Sequence, residues 1–167
     1  MSFFWILIAV IILQRFVELF IARRNENILK AKGALEFDKN GYRVIFLMHI
    51  AFFISLVSEK LLLYRELNKF WILFLFLFLV AQFIRYWAIK SLGIHWNTKI
   101  LVIPNNKLIT KGPYKYLRHP NYITVIIEIA VIPLIFSCYI TAAFFSFLNL
   151  LLLKRRIRIE EDALLKI

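Results

Sequence analysis

Between residues 112 and 122 the chain reads Gly112-Pro113-Tyr114-Lys115-Tyr116-Leu117-Arg118-His119-Pro120-Asn121-Tyr122. Two of the four prolines and one of the three histidines fall in this stretch, directly before a long apolar run. Pro120 biases His119 away from helical backbone and suits the first turn of a helix that begins there. Free N–H groups at such a helix start suit a carboxylate or an adenine edge. Tyr114 and Tyr122 offer aromatic faces of the kind that hold a purine ring or a sulfonium cation. Taken singly, the tyrosines and His119 read as anchors at the headgroup level of a membrane. As a constellation they read as a binding site.

The elements that must position this turn are membrane helices. Of the 167 residues 62% are hydrophobic and the mean hydropathy is +0.74, against about 45–50% apolar residues in a soluble domain. A span needs roughly 20 mainly apolar residues, which gives spans near residues 3–22, 43–64, 70–90, 121–137 and 139–153. As one helix, residues 121–153 would run about 50 Å, too long for roughly 30 Å of hydrocarbon. That stretch is therefore expected to fold as a hairpin near Ser137-Cys138-Tyr139, just after Pro133. No basic region precedes Phe3, so the first apolar segment is expected to be a mature helix, not a secretory signal. The predicted fold class is all-α, a polytopic integral membrane protein of about five helices. Residues 1–167 are read as a single domain.

The formal charge of +12 is unevenly placed. Segments after the first, third and fifth spans carry most of it, including Arg23, Arg24, Lys107, Lys111, Arg118, Arg155 and Arg158; the opposite side has Lys60, Arg65 and Lys69. The positive-inside rule puts the N-terminus outside and the C-terminus in the cytoplasm. Topology and contact with anionic membrane lipids account for the basic residues, which leaves no call for nucleic acid. A lone Cys138 and three scattered histidines make no metal site, and the four glycines form no phosphate loop.

Arg15, Glu18, His49, Arg85 and Glu128 are ionisable side chains that fall inside the spans. A charge at the bilayer centre costs at least about 2.5–3.5 kcal/mol, so each needs a partner or a wet pocket. Under the predicted topology all five lie in the cytoplasmic leaflet, beneath the long loop from Leu92 to Arg118 and the Tyr114–Tyr122 turn. Two readings stay open. One pairs Arg15 with Glu18 along a helix and Arg85 with Glu128 between helices. The other is a polar pocket open to the cytoplasm, with Glu128 and Arg85 in its wall.

The chain resembles the isoprenylcysteine carboxyl methyltransferase family of integral-membrane methyltransferases. Three segments carry the resemblance: Arg85 with Leu92-Gly93, the Gly112–Tyr122 turn, and Arg156 with Glu160-Glu161 and Leu164. The resemblance implies S-adenosyl-L-methionine bound without a Rossmann fold. By motif, Leu108, Ile109, Tyr114, His119, Pro120, Asn121 and Tyr122 would line the cofactor, Glu160 would bind its polar end and Arg156 would face the anionic group of the acceptor. Asn106 departs from the histidine of many relatives, although an amide still donates and accepts. Lys99 falls where some relatives contact the cofactor.

The N-terminal half, with Gln14-Arg15-Phe16-Val17-Glu18-Leu19, Ala22-Arg23-Arg24-Asn25, Gly33-Ala34-Leu35-Glu36 and His49 followed by Glu59, resembles small bacterial members. Those are associated with O-methylation of long-chain alkylpyrones and phenolic lipids.

The expectation is a membrane enzyme that transfers a methyl group to an oxygen of a lipophilic small-molecule acceptor. Arg156, Glu128 and Arg85 are its candidate catalytic residues. An acceptor that is already anionic needs alignment more than a base; for a weaker acid, Glu128 or His119 is the expected base. Two alternatives remain at this point. One is an NADPH-dependent membrane lipid or sterol reductase, against which the Glu160-Glu161 pair argues. The other is a non-catalytic scaffold, which has no need of five ionisable groups in one leaflet.

Overall fold

The structure is a computed structural model that describes residues 2–104 and 109–165. Five helices follow one another: α1 (Ser2–Ala31), α2 (Lys39–Leu62), α3 (Trp71–Leu92), α4 (Pro120–Ile135) and α5 (Tyr139–Leu165). Two short strands, β1 (Leu35–Phe37) and β2 (Ile100–Val102), pair antiparallel with Leu35 opposite Val102. The protein is an all-α integral membrane protein.

The hairpin between the last two helices forms where the length of the apolar run requires it. Pro133 lies in the final turn of α4, Ser137 takes a left-handed φ of 55°, and the Cys138 N–H returns to the Pro133 carbonyl at 2.9 Å. A left-handed residue just past a helix end reverses the chain while satisfying the last carbonyls. On the far side, the Glu59 carboxylate of α2 accepts from the Ile140 and Thr141 N–H groups at 3.2 and 2.7 Å. It thereby caps the otherwise unsatisfied donors at the start of α5.

Three departures from the sequence reading have physical causes. The basic stretch after the first span is not loop throughout: α1 continues as helix to Ala31. Asn25 ties that extension down, donating to the Gly93 and Trp96 carbonyls at 3.1 and 2.8 Å. The β1–β2 ribbon was not expected, because three-residue strands carry too little alternation to read. Among the described residues three helices, α1 to α3, are long and apolar enough to cross a membrane by themselves. The 16 residues of α4 reach about 24 Å, and the charged residues of α5 begin at Lys154.

The apolar core occupies one end of the bundle. Phe4, Leu7, Ile8 and Ile11 of α1 pack there with Phe52 and Leu56 of α2, Phe78 of α3, Ile132 and Ile135 of α4 and Phe145 of α5. The edge-on Phe4–Phe136 pair has its centroids 4.8 Å apart. At the opposite, basic end the helices do not close. The α1 and α2 backbones hardly approach each other, whereas α3 packs on α4 and α4 on α5.

Candidate functional site

A cavity of about 510 Å³ fills the open end of the bundle. That size lies within the roughly 300–1,000 Å³ of small-molecule sites. Its walls come from α1 and α2, from residues 95–102, and from the turn before α4 with the last turns of α5.

The turn and the end of α5 face each other, although 34 residues separate Tyr122 from Arg156. Gly112 starts the turn at a φ of 60°, and a Cβ there would lie 2.0 Å from Ser91 Oγ of α3, so only glycine fits. The His119 ring stacks on Tyr122 with centroids 5.3 Å apart and planes inclined by 17°. Arg156 Nε donates to the Tyr122 hydroxyl at 2.9 Å and its Nη2 to the Thr98 carbonyl at 2.6 Å; the hydroxyl in turn donates to Glu160. Glu161 lies 3.4 Å from His119 Nε2 and 3.3 Å from Arg118. Burial, with the Glu160 charge beside it, pushes the Tyr114 phenol well above its ordinary range. Tyr114 therefore keeps its proton and presents an aromatic face to the cavity.

Beneath this turn lies a buried charge cluster. Arg15 pairs with Glu18 at 2.6 Å and with Glu128 at 2.5 Å; Arg85 pairs with Glu18 at 3.0 Å and also with Glu128. Gln82 donates to Glu128 at 2.5 Å, and Gln14 links Gln82 to Glu18. Two arginines and two glutamates make a neutral square across α1, α3 and α4. Both open readings contribute: the ion pairs form, and Arg15, Glu18, Arg85 and His49 also line the cavity.

Glu128 does not stand in the wall, contrary to expectation. It is 2% exposed and lies behind the two arginines, with its oxygens taken by Arg15, Arg85 and Gln82. A carboxylate so placed holds arginines in position and has no free face for an acceptor's proton.

Of the other sequence-predicted residues, Tyr114, His119, Asn121, Tyr122, Arg156 and Glu160 line the cavity together with Arg85. Ile109 and Pro120 are not on its wall: Pro120 is buried at the first turn of α4 and Ile109 is half-buried in the preceding loop. Leu108 and Asn106 lie outside the described residues.

The sequence reading missed Trp96, Asn97 and Thr98, whose segment forms the wall opposite Tyr122. Their signal was faint: a Trp and two small polar residues just after Gly93. Lys99 closes that wall and bridges to Glu26 and Glu36 at 2.7 and 3.4 Å. Burial opposes the charge on Lys99, but the two carboxylates outweigh it and raise its pKa. Glu36 is held below the usual carboxylate range by Lys30 and Lys99, again against the effect of burial.

Three buried polar atoms on the wall have no partner among the described residues: Asn121 Oδ1, Trp96 Nε1 and Arg85 Nε. Buried polar groups are nearly always hydrogen-bonded, so one orphaned acceptor and two orphaned donors are what a polar ligand would satisfy.

Residues 71–166 match the model of the isoprenylcysteine carboxyl methyltransferase (ICMT) family. The chain belongs to this family. It is also similar to an uncharacterized protein of Bacillus subtilis (strain 168), YpbQ, with 48% identity over 161 residues covering 96% of each chain. An uncharacterized protein of Haemophilus influenzae is 30% identical over 165 residues, covering 98% of this chain and 96% of its own. No solved structure matches. Family membership makes the protein a membrane methyltransferase by class. The matched region takes in α3 to α5 and leaves α1 and α2 outside.

Proposed function

We propose that the protein transfers the methyl group of S-adenosylmethionine to an oxygen of a lipophilic acceptor. The observation that carries this reading is the single cavity shared by two unlike ends. One end is the polar turn with Tyr114, His119, Asn121, Tyr122 and Glu160; the other runs between apolar faces of α1 and α2.

The residues fit the cofactor. The stacked His119–Tyr122 pair and Tyr114 offer π faces for a purine or a sulfonium, the Glu160 carboxylate suits an ammonium group, and the unpartnered Asn121 Oδ1 is an acceptor for an amine. Bound there, the cofactor would supply an electrophilic methyl group. The protein's part is to align acceptor and donor and to exclude water, which supplies several kcal/mol through effective molarity. The acceptor class favoured by the resemblance of the N-terminal half is a long-chain alkylpyrone or phenolic lipid. The basic end, with the cofactor turn, faces the cytoplasm of a bacterial cell in this reading, and the N-terminus lies outside.

Thermal unfolding of the detergent-solubilised protein tests the cofactor. S-adenosylmethionine and S-adenosylhomocysteine should each raise Tm, because a ligand bound only by the folded state stabilises it. A shift with NADPH and none with either methionine derivative would replace the methyltransferase reading with a reductase.

A further inference from the structure

His49 is an ionisable side chain within the membrane helices that the charge square leaves out. It lies on α2 and lines the cavity, and its Nδ1 is 2.8 Å from the Ile45 carbonyl one turn earlier. A carbonyl oxygen only accepts, so Nδ1 carries the hydrogen, and in the neutral ring Nε2 keeps its lone pair. The helix thus fixes one tautomer, with Nε2 as a proton acceptor and no side chain of the described residues bonded to it.

Around His49 the wall is apolar on its own helix, with Ile45, Phe46 and Ile50. Phe46 and Ile50 are exposed, as is Phe16 on α1. A slot bounded by exposed apolar residues on two helices that hardly touch opens sideways toward lipid tails. The charges of Arg15 of α1, Arg85 of α3 and Glu128 of α4 act on the imidazole. Glu18 pairs with both arginines, and Tyr42 lies about two turns back on α2. Arg156 and Glu160 of α5 line the same cavity. Arg15 keeps about a quarter of its side chain exposed, and Arg85, buried as it is, still reaches the cavity wall where Glu128 does not.

We propose that His49 is the general base of an acceptor site built by α1 and α2, and that the acceptor is a long-tailed lipid bearing a weakly acidic hydroxyl, a phenol or enol, whose oxyanion is held by Arg15 and Arg85. The tail lies in the slot between α1 and α2. The hydroxyl proton passes to His49 Nε2 and the oxygen bonds to the methyl carbon of the sulfonium donor. The carbon–sulfur bond breaks with its electron pair remaining on sulfur, which leaves a neutral thioether and a methyl ether. The proton then leaves the imidazolium for water at the open end of the cavity. A carboxylate acceptor would need the arginines but no base, so the loss of His49 should slow methylation of the hydroxyl and leave that of a carboxylate nearly unchanged. The inference rests on the methyl-transfer reading for its donor, while base, cation pair and slot all belong to α1, α2 and α3.

The test uses the full chain in lipid nanodiscs, with His49→Asn as the main variant because its amide can still donate to the Ile45 carbonyl. Two acceptors are compared, a long-chain alkylphenol and a fatty acid of equal length. The ratio of phenol to carboxylate methylation should fall by about 10² or more, the usual range for loss of a general base. The residual phenol rate should climb with pH, where the wild type levels off.

A second readout needs no turnover. A long-chain alkyl nitrophenol, mixed with the protein one pH unit below its own pKa, should show phenolate absorbance with the wild type, less with Arg15→Met and least with His49→Asn. Equal ionisation in wild type and His49→Asn, or an unchanged rate ratio, overturns the proposal. Failure to bind S-adenosylhomocysteine would remove the methyl-transfer reading and leave the absorbance result to decide the base.

Discussion

The Arg156 guanidinium lies over the Tyr122 ring, 5.7 Å from its centroid, while its Nε donates to that residue's own hydroxyl at 2.9 Å. Arg156 thus fixes both the plane and the hydroxyl of Tyr122, and through the Thr98 carbonyl it also clamps the opposite wall. Its role is therefore broader than meeting an acceptor's anion. Arg156→Ala should weaken S-adenosylhomocysteine binding as well as turnover. Loss of a charged hydrogen bond of about 1.5–3 kcal/mol would raise Kd by roughly 10- to 100-fold. Isothermal calorimetry on a sample with unchanged helicity reads this directly; an unaltered Kd would return Arg156 to the acceptor alone.

Glu160 accepts from Tyr122 on one side and faces the cavity on the other. Glu160→Gln should weaken cofactor binding by a similar factor, whereas Tyr122→Phe should weaken it less, because the ring that stacks with His119 remains. The order of the two Kd values is the measurement. A larger loss in Tyr122→Phe would mean that the hydroxyl itself contacts the ligand.

Much of this site was legible because its residues break local rules. Ionisable groups in apolar helices demand partners, which is why Arg15, Glu18, Arg85 and Glu128 stood out and indeed meet. The turn at Ser137 followed from a run too long for one span. The burial of Glu128 behind the arginines was not legible, since depth along a helix says nothing about which face it turns to its neighbours. Gln14 and Gln82 were overlooked because neutral amides in a span raise no alarm until their partners are seen. The β1–β2 ribbon joins residues far apart in sequence, Leu35 with Val102. Lys30, Lys99, Glu26 and Glu36 pair around it, and Ile100, Val102 and Phe37 pack with Ile159 and Ala163 of α5.

Those four charges give the ribbon a pH dependence of known sign. Lys99 has a raised pKa in the folded state, so its contribution is full below its unfolded value and fades as pH rises through the folded one. Glu36 has a lowered pKa, so its contribution is present above its unfolded value and fades as pH falls through the folded one. Lys99→Met should lower Tm most in the middle of a Tm-against-pH curve and least at its two ends, where the pairing is already lost, so that both limbs flatten. Unchanged limbs would place the cluster outside the unit that unfolds cooperatively.

Gly112 lets the turn before α4 pack closely against α3. Any Cβ there meets Ser91 Oγ at 2.0 Å and Ser91 Cβ at 2.9 Å, and the backbone is left-handed as well. Strain at such a backbone costs about 1–3 kcal/mol. Gly112→Ala should therefore lower Tm and weaken cofactor binding together. Ser91→Gly in the same chain should recover part of the loss but not all, because it relieves the clash and leaves the φ penalty. Full recovery would mean that the turn tolerates a side chain at this φ.

The last test separates the cluster's stability from its role in the cavity. Glu128 balances Arg15 and Arg85 in a region shielded from water, so removing it alone leaves excess positive charge. Breaking one partner of a buried pair typically costs about 3–5 kcal/mol, whereas replacing the pair by apolar residues of similar size is often neutral. Glu128→Leu should destabilise strongly and Glu128→Gln less, because the amide still accepts from the arginines and Gln82. Glu128→Leu combined with Arg85→Met should regain much of the lost stability, a coupling measurable by a double-mutant cycle in denaturant. The same double variant should stay poor at methyl transfer, because it lacks the Arg85 side chain that lines the cavity. Stability restored with activity still low would identify the square as a device for aiming arginines at the acceptor. If activity returns with stability, the square serves the fold alone and Arg85 has no part in holding the acceptor.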